Sequence, residues 1–223
     1  MPTLLFDLDG TLTDPKPGIT RSIAHALERM GRDAPPLDDL AFAIGPPLRQ
    51  SLARLLDDDD PALVEQALAH YRERFAEIGL FENEVYAGID EALAQLRREG
   101  ISLFVATSKP RVYATRIVEH FGLAPHFEAV HGCELDGKRE DKRNLLAHLV
   151  RIHGIARAMM VGDRGADMIA ARHHGLHALG VTYGYGTAGE LLAAGAHQLA
   201  ASPAEIAALA PLWCTRPETV HQR

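Results

Sequence analysis

The chain begins on an unbroken apolar run, Leu4-Leu5-Phe6, that stops abruptly at Asp7-Leu8-Asp9-Gly10-Thr11. No polar residue alternates within it, so residues 3–6 predict a strand covered on both faces, as in a parallel sheet. The period then changes. From 15 to about 85 the apolar residues recur at helical spacing, and no stretch reads as a strand. Ile19, Ile23, Ala26, Leu27 and Met30 mark a helix over 17–31, opened by Pro17 and closed by Gly31. Gly45-Pro46-Pro47 is a loop, followed by Leu48, Leu52 and Leu55-Leu56 on the next helix. The acidic run 57–60 reads as a solvated turn whose Asp60 caps a further helix over 62–78, introduced by Pro61. Residues 83–88 bring the chain back.

After that return, helices and apolar runs alternate. A helix over 89–98 closes at Gly100 and precedes a buried strand, 101–106. Helix 111–121 precedes a short strand, 127–131. Helix 142–152, strand 158–161, helix 166–174, strand 178–182 and a last helix, 203–209, complete the pattern. Residues 213–223 read as a polar, loosely held tail. The alternation predicts parallel βαβ units, hence an α/β protein with a Rossmann-like three-layer α/β/α sandwich. Residues 1–14 and 86–223 would form that core, and 15–85 an inserted all-helical cap over the strand ends.

Composition narrows the partners. Among 223 residues, 30 acidic against 23 basic side chains give a net charge of −7, which argues against a nucleic-acid polymer as partner. No run of about 18 apolar residues is present, so no membrane span is expected. The first strand starts almost at once, leaving no room for a signal peptide. Cys133 and Cys214, the two cysteines, suggest reduced thiols in a cytoplasmic protein.

The chemistry gathers at predicted strand ends, where open α/β sheets keep their ligand crevice. After the first strand, Asp7 can serve as a nucleophile, since carboxylates form aspartyl-phosphate intermediates. Asp9 can protonate a leaving oxygen and later activate water. Gly10 frees the backbone to turn and offer N–H groups to an anion. A calcium loop fails here, because Leu12 and Gly18 stand where it needs glycine and glutamate. A carboxylate attacking a phosphate meets like charge, roughly 4 kcal/mol for two unit charges ~4 Å apart at an effective dielectric of ~20. The chain must therefore supply cations.

The other strand ends meet that demand. Thr107-Ser108-Lys109-Pro110 offers a hydroxyl and free N–H groups suited to a phosphoryl oxygen. Lys142 opens a helix, a place the macrodipole disfavours for cations, and is a candidate to neutralise nucleophile and phosphate. Lys138 competes with it on spacing. Gly162-Asp163-Arg164-Gly165-Ala166-Asp167 repeats two carboxylates on a glycine-containing turn. With Asp7 and the Asp9 carbonyl, Asp163 and Asp167 would make an octahedral Mg²⁺ site completed by waters and phosphate. A helix cap or turn explains each piece alone, but not their repetition.

Two other patterns compete. Gly184-Tyr185-Gly186-Thr187-Ala188-Gly189 fits the glycine spacing of a dinucleotide site, but too little chain follows for the rest of that unit, and it reads as a flexible loop at the crevice rim. His173, His174 and His177 straddle a helix end at Gly175, which breaks metal-ligand geometry. In the helical segment, Arg21, Arg49 and Tyr71 are candidate substrate readers, Arg49 foremost.

Taken together, Asp7-Leu8-Asp9-Gly10-Thr11, Thr107-Ser108-Lys109-Pro110, Lys142 and Gly162-Asp163-Arg164-Gly165-Ala166-Asp167 resemble the four motifs of the haloacid dehalogenase superfamily, in its helical-cap phosphatase branch. Residues 44–49 and Tyr183-Gly184-Tyr185-Gly186 also resemble that branch, and the likeness runs to about residue 209. The resemblance implies a phosphatase of small phosphorylated metabolites, most similar to phosphoglycolate phosphatases, 5′-nucleotidases and pyrophosphatases. It implies Asp7 as nucleophile, Asp9 as acid and base, Thr107 as phosphate ligand and Lys142 as neutraliser. Gly10 and Ser108 would join Thr107 and Lys142 around the phosphate. Mg²⁺ would sit on Asp7, Asp9 and Asp163, with Asp167 supporting the metal or Lys142. Asp9 separates it from dehalogenases, whose leaving halide needs no proton. A phosphomutase, or a phosphate-binding scaffold without turnover, keeps the same residues. The assembly would be a monomer or a homodimer.

Overall fold

The apolar run at the start forms strand β1, Thr3–Phe6, buried along its whole length, which is why no polar position interrupts it. It pairs in parallel with β4 (Ser102–Pro110) on one side and β6 (Ala158–Gly162) on the other. Beyond β4 lies β5 (Ala129–Cys133). Beyond β6 come β7 (His177–Val181) and β8 (Gln198–Ala200), completing a six-stranded parallel sheet. The computed structural model describes residues 1–214.

Alternate side chains leave each strand on opposite faces. Leu4, Phe6, Leu103, Val105, Met159 and Val161 pack with α4 (Ile89–Arg98), α5 (Arg111–His120) and α9 (Pro203–Cys214). Leu5, Phe104, Ala106, Ala158 and Met160 pack with α6 (Lys142–His153), α7 (Gly165–His173) and α8 (Ala188–Ala193). Helices on both faces of a parallel sheet make the Rossmann-like three-layer α/β/α arrangement that the alternation of elements predicts.

Between β1 and the rest of the sheet the chain is helical: α1 (Lys16–Arg29), a 3₁₀ segment (Leu37–Ala43), α2 (Leu48–Leu56) and α3 (Pro61–Arg74). Asp60 caps α3, its Oδ1 accepting from the Ala62 N–H at 2.9 Å. A π-helical turn, Phe75–Gly79, ends this helix. Gly18 of α1 lies against it so closely that a Cβ would come within 2.0 Å of the Gly79 carbonyl oxygen. Where the chain enters and leaves this segment, β2 (Thr13–Asp14) pairs antiparallel with β3 (Glu84–Val85).

Three details depart from the periodicity. Strands β2, β3 and β8 have two or three residues each, too short to leave a pattern. Strand β4 continues through Thr107–Pro110, where a turn is expected, and its register with β5 shifts between Ala106 and Pro110. Such an irregularity bends the strand and re-aims its side chains. Helix α9 runs past residue 209, and Trp213 is not loosely held: it is buried, with the Arg157 guanidinium 4.4 Å above its ring. Residues 215–223 of the expected tail lie outside the described residues. Cys133 is a free, buried thiol, and the side chain of Cys214 lies outside what is described. Among the described residues no helix is long and apolar enough to cross a membrane.

Candidate active site

The hydrogen-bond ladder of the sheet carries one residue past β1, with the Asp7 N–H donating to the Val161 carbonyl at 2.9 Å. The chain then turns on itself: the N–H groups of Thr11, Leu12 and Thr13 all point at the Leu8 carbonyl, and Gly10 takes a φ of +80°. A side chain at position 10 would be strained on that φ and would put its Cβ 2.2 Å from Asp163 Oδ2. The first and fourth strand ends are thereby packed together.

Asp163 follows β6 and is fully buried. Thr11 Oγ1 donates to its Oδ1 at 3.3 Å, and the Tyr185 N–H to its Oδ2 at 2.8 Å. The glycine-rich loop supplies that second donor by close approach. A Cβ at Gly184 would lie 2.2 Å from the Gly10 carbonyl oxygen, and one at Gly186 would lie 1.9 Å from that of Asp163. These glycines serve contact with the carboxylate turns rather than a dinucleotide, and the expected flexible rim is a seated loop. Tyr183 Oη anchors it further by donating to the Thr11 carbonyl at 2.8 Å, and the Tyr185 hydroxyl bonds Asp14.

Lys142 is the first residue of α6, after the Asp141 cap, and it is buried. Its Nζ lies 2.8 Å from Asp7 Oδ1 and 2.7 Å from Asp167 Oδ1, and donates to the Ala106 carbonyl at 2.9 Å. The two carboxylate contacts are ion pairs without aligned hydrogen-bond geometry, because both Oδ1 atoms are buried without a hydrogen-bond partner. Asp167 Oδ2 accepts from the Arg164 N–H at 3.1 Å. Lys138 is exposed, so of the two lysines left open by spacing only Lys142 is at this centre.

Asp9 turns elsewhere. Its Oδ2 pairs with Lys109 Nζ at 2.8 Å, and the same ammonium sits 4.6 Å above the ring centre of Phe75. Thr107 is buried beside them, its hydroxyl accepting from the Lys109 N–H at 3.2 Å. Asp7, Asp9, Thr107, Ser108 and Lys109 line one cavity with Leu68, Tyr71 and Phe75 of the helical segment. Arg49 also lines it, though its guanidinium pairs with Glu65 and reaches the Leu135 carbonyl at 3.4 Å. Arg21 pairs with Glu82 instead of lining the cavity. His174 bonds the Arg143 carbonyl and His177 stacks on His197.

Burial dominates the electrostatics. It pushes Asp163 up to about 8, helped by Asp7 and Asp167, and Asp167 up to about 6. Asp9 is raised by burial although Lys109 draws it back. Burial opposes the charge on Lys142, but Asp167 and Asp7 outweigh it and hold the ammonium above its ordinary range.

This crowding tests whether a metal fits. Oxygens of Asp7, Asp163 and Asp167 lie within 4.8 Å of one another, all buried, with a single lysine between two of them. Hard oxygen donors at that spacing suit Mg²⁺. Asp167 has both oxygens engaged, by Lys142 and by the Arg164 N–H, and so suits holding Lys142 more than binding metal.

Sequence reasoning missed Lys109, Thr11 and the Tyr185 N–H. Lys109 alone left a signal, a cation two residues after Thr107, but nothing local says which carboxylate it faces.

Known proteins resemble the chain over most of its length. A family model described as haloacid dehalogenase-like hydrolase matches residues 4–181. The chain is 47% identical over 210 residues to a 5′-nucleotidase of Pseudomonas aeruginosa, covering 93% of each. It is 32% identical to a phosphoglycolate phosphatase of Agrobacterium fabrum, covering 82% of each. It is 41% identical over 187 residues to the tyrosine-protein kinase PtkA of Mycobacterium tuberculosis, covering 83% of this chain and 63% of that one. A crystal structure of a predicted phosphatase from Clostridium acetobutylicum superposes with a TM-score of 0.89 at 40% identity, over 93% of this chain and 96% of that one. On a match spanning most of its length and on relatives this similar, the chain is an enzyme of the haloacid dehalogenase-like hydrolase family.

Proposed function

We propose that this enzyme is an Mg²⁺-dependent phosphatase of small phosphate monoesters that works through an aspartyl-phosphate on Asp7. The observation that carries the reading is the buried group of Asp7, Asp163, Asp167 and Lys142, drawn from the ends of two strands and the first turns of two helices, with Asp7 lining the cavity. Relatives named phosphoglycolate phosphatase and 5′-nucleotidase support the same class.

Asp7, the Asp9 carbonyl and Asp163 would hold the metal, while Asp167 fixes Lys142. When bound, Mg²⁺ supplies positive charge that offsets the phosphate and the carboxylates. Asp7 then attacks phosphorus as Lys142 balances the charge, and Thr107, Ser108 and the Gly10 turn receive phosphoryl oxygens. Asp9 gives a proton to the departing alcohol and afterwards takes one from the water that hydrolyses the acyl phosphate. Residues 15–85 act as a cap that excludes bulk water, and the β2–β3 ladder ties its entry to its exit. We place the enzyme in the cytoplasm, in keeping with its buried free thiol at Cys133.

The metal is tested without turnover. Mg²⁺ at about 100 times its dissociation constant is expected to stabilise the protein by about 2.7 kcal/mol, a rise of about 5–10 °C in Tm for a chain this long. EDTA should remove both the shift and the activity, and Asp163→Asn should remove the shift. The pH dependence follows from Asp163, which burial pushes up to about 8, far above the 3.8 of an ordinary aspartate. The folded protein holds that proton across this window and the unfolded chain does not, so stability falls as pH rises from about 4 to about 8. In chelator, the Tm advantage of Asp163→Asn over wild type should therefore grow with pH across that window. An unchanged difference would remove the crowded carboxylate from the account.

Substrate choice is a second measurement. The cavity walls away from Asp7 and Asp9 are largely apolar and aromatic, and Arg49 and Arg72 there are already bonded, Arg72 to the Leu135 carbonyl at 2.6 Å. That lining favours an uncharged leaving group such as a nucleoside over the carboxylate of 2-phosphoglycolate. A panel of nucleoside 5′-monophosphates, 2-phosphoglycolate, sugar phosphates and pyrophosphate should rank the nucleotides first in kcat/KM. A clear preference for 2-phosphoglycolate would mean that Arg49 or Arg72 leaves its partner on binding.

A further inference from the structure

Asp9 is held at one end only. Its Oδ2 meets Lys109 Nζ at 2.8 Å, while its Oδ1 is buried and has no hydrogen-bond partner. Asp9 and Lys109 both line the cavity, and the ion pair leaves Oδ1 as the carboxylate oxygen without a partner. Lys109 is itself held from two sides. Its ammonium is buried, and the ring of Phe75 lies beneath it at 4.6 Å, a contact that favours a desolvated cation. Phe75 opens the π-helical turn that ends α3, so the support for Lys109 comes from the helical insertion rather than from the sheet. Phe75 is in turn buttressed by Tyr71, stacked at 5.0 Å, and by the edge of Tyr113 at 5.6 Å. π-Helical turns of this kind are frequent at functional sites.

We propose that Lys109 is the positioning residue of Asp9: clamped by Phe75, it fixes Oδ2, presents Oδ1 to the leaving oxygen, and offsets the carboxylate charge formed as the proton leaves. The inference rests on the reading of Asp9 as general acid given above. In the step concerned, the bond from Asp7 to phosphorus forms and the bond from phosphorus to the alcohol oxygen breaks. The proton on Asp9 Oδ1 passes to that oxygen, and Asp9 becomes an anion beside the Lys109 ammonium. A consequence is that the seating of the insertion, through Phe75, sets whether the acid is aligned.

The test separates proton donation from phosphate binding. kcat/KM reports steps up to and including the first irreversible one, here formation of the phosphoenzyme, so it isolates leaving-group departure. Phosphate esters whose alcohols span a range of acidity, from p-nitrophenyl phosphate to alkyl phosphates, are assayed with wild type, Lys109→Met, Lys109→Arg, Phe75→Leu and Asp9→Asn, each with its Tm. Lys109→Met is expected to lose about 10–100-fold on alkyl phosphates and less than about 3-fold on p-nitrophenyl phosphate, a share of what a general acid supplies. Lys109→Arg should recover most of that loss, and Phe75→Leu should show a smaller loss with the same selectivity. Equal losses on all esters would make Lys109 a phosphate ligand and overturn the proposal, as would no loss at all. If Lys109→Met does not fold, Phe75→Leu and Lys109→Gln decide the matter by the same criterion. Should Asp9→Asn itself lose rate evenly across the series, Asp9 is not the acid and both readings fall; selective loss there with even loss in Lys109→Met sinks only the positioning role.

Discussion

Asp7→Asn is expected to lower kcat by more than about 10⁴-fold while leaving the protein as stable as before. The amide keeps the volume of the carboxylate but cannot form the acyl phosphate. Stability should hold because the cluster is over-supplied with acid: Asp7, Asp163 and Asp167 are buried together, and Lys142 still has Asp167 at 2.7 Å after the change. Removing one negative charge relieves crowding that burial has already made costly for Asp163. The measurements are steady-state turnover of p-nitrophenyl phosphate with Mg²⁺, trapping of phosphoenzyme, and the Tm. Appreciable residual turnover would take the nucleophile away from Asp7. Loss of turnover together with a collapse in Tm would mean that the residue is structural, and the same result would weaken the phosphatase reading itself.

Lys142→Met should do the reverse to stability. Methionine fills most of the space of the lysine stem, so packing is roughly conserved. The ammonium, however, is the shared partner of Asp7 and Asp167 and a donor to the Ala106 carbonyl. Without it, Asp7 and Asp167 stay buried beside Asp163 and lose the ammonium that pairs with both. Removing one partner of a buried ion pair costs about 3–5 kcal/mol, because the remaining charge cannot be solvated. For a chain of this length that is a fall of about 10 °C or more in Tm. Mg²⁺ should restore part of the lost stability and little of the activity, since turnover also needs the ammonium beside the attacking carboxylate. Urea unfolding with and without Mg²⁺ reads both quantities. A Tm within a degree or two of wild type would show that Lys142 is not what balances the cluster.

These effects share a physical origin that is partly legible in the chain and partly not. Periodicity alone places β1, β4 and β6, because strands buried on both faces must be apolar throughout and connecting helices must carry an apolar stripe. It also places Asp7, Thr107, Lys142 and Asp163 near strand ends or a helix start, where polar residues interrupt apolar runs. The helical character of residues 15–85 is equally plain, because Asp60, Pro61 and Gly31 mark element ends by local backbone preference.

Tertiary structure decided everything that depends on contact between distant residues or on where a side chain is aimed. Lys142 and Lys138 are alike in spacing, and only packing buries one and leaves the other in water. Lys109 reaches Asp9 because β4 continues past its expected end with a shift in register, which no pattern of hydrophobicity records. Residues 184–189 resemble a flexible rim in composition, yet Gly184 and Gly186 are needed because the backbone there presses on Gly10 and Asp163. Local preference governs which element forms, since each residue's backbone and its near neighbours settle that. Charge pairing, close approach and the choice of a positioning lysine belong to the folded chain, since their energies exist only when burial removes water from groups far apart in sequence.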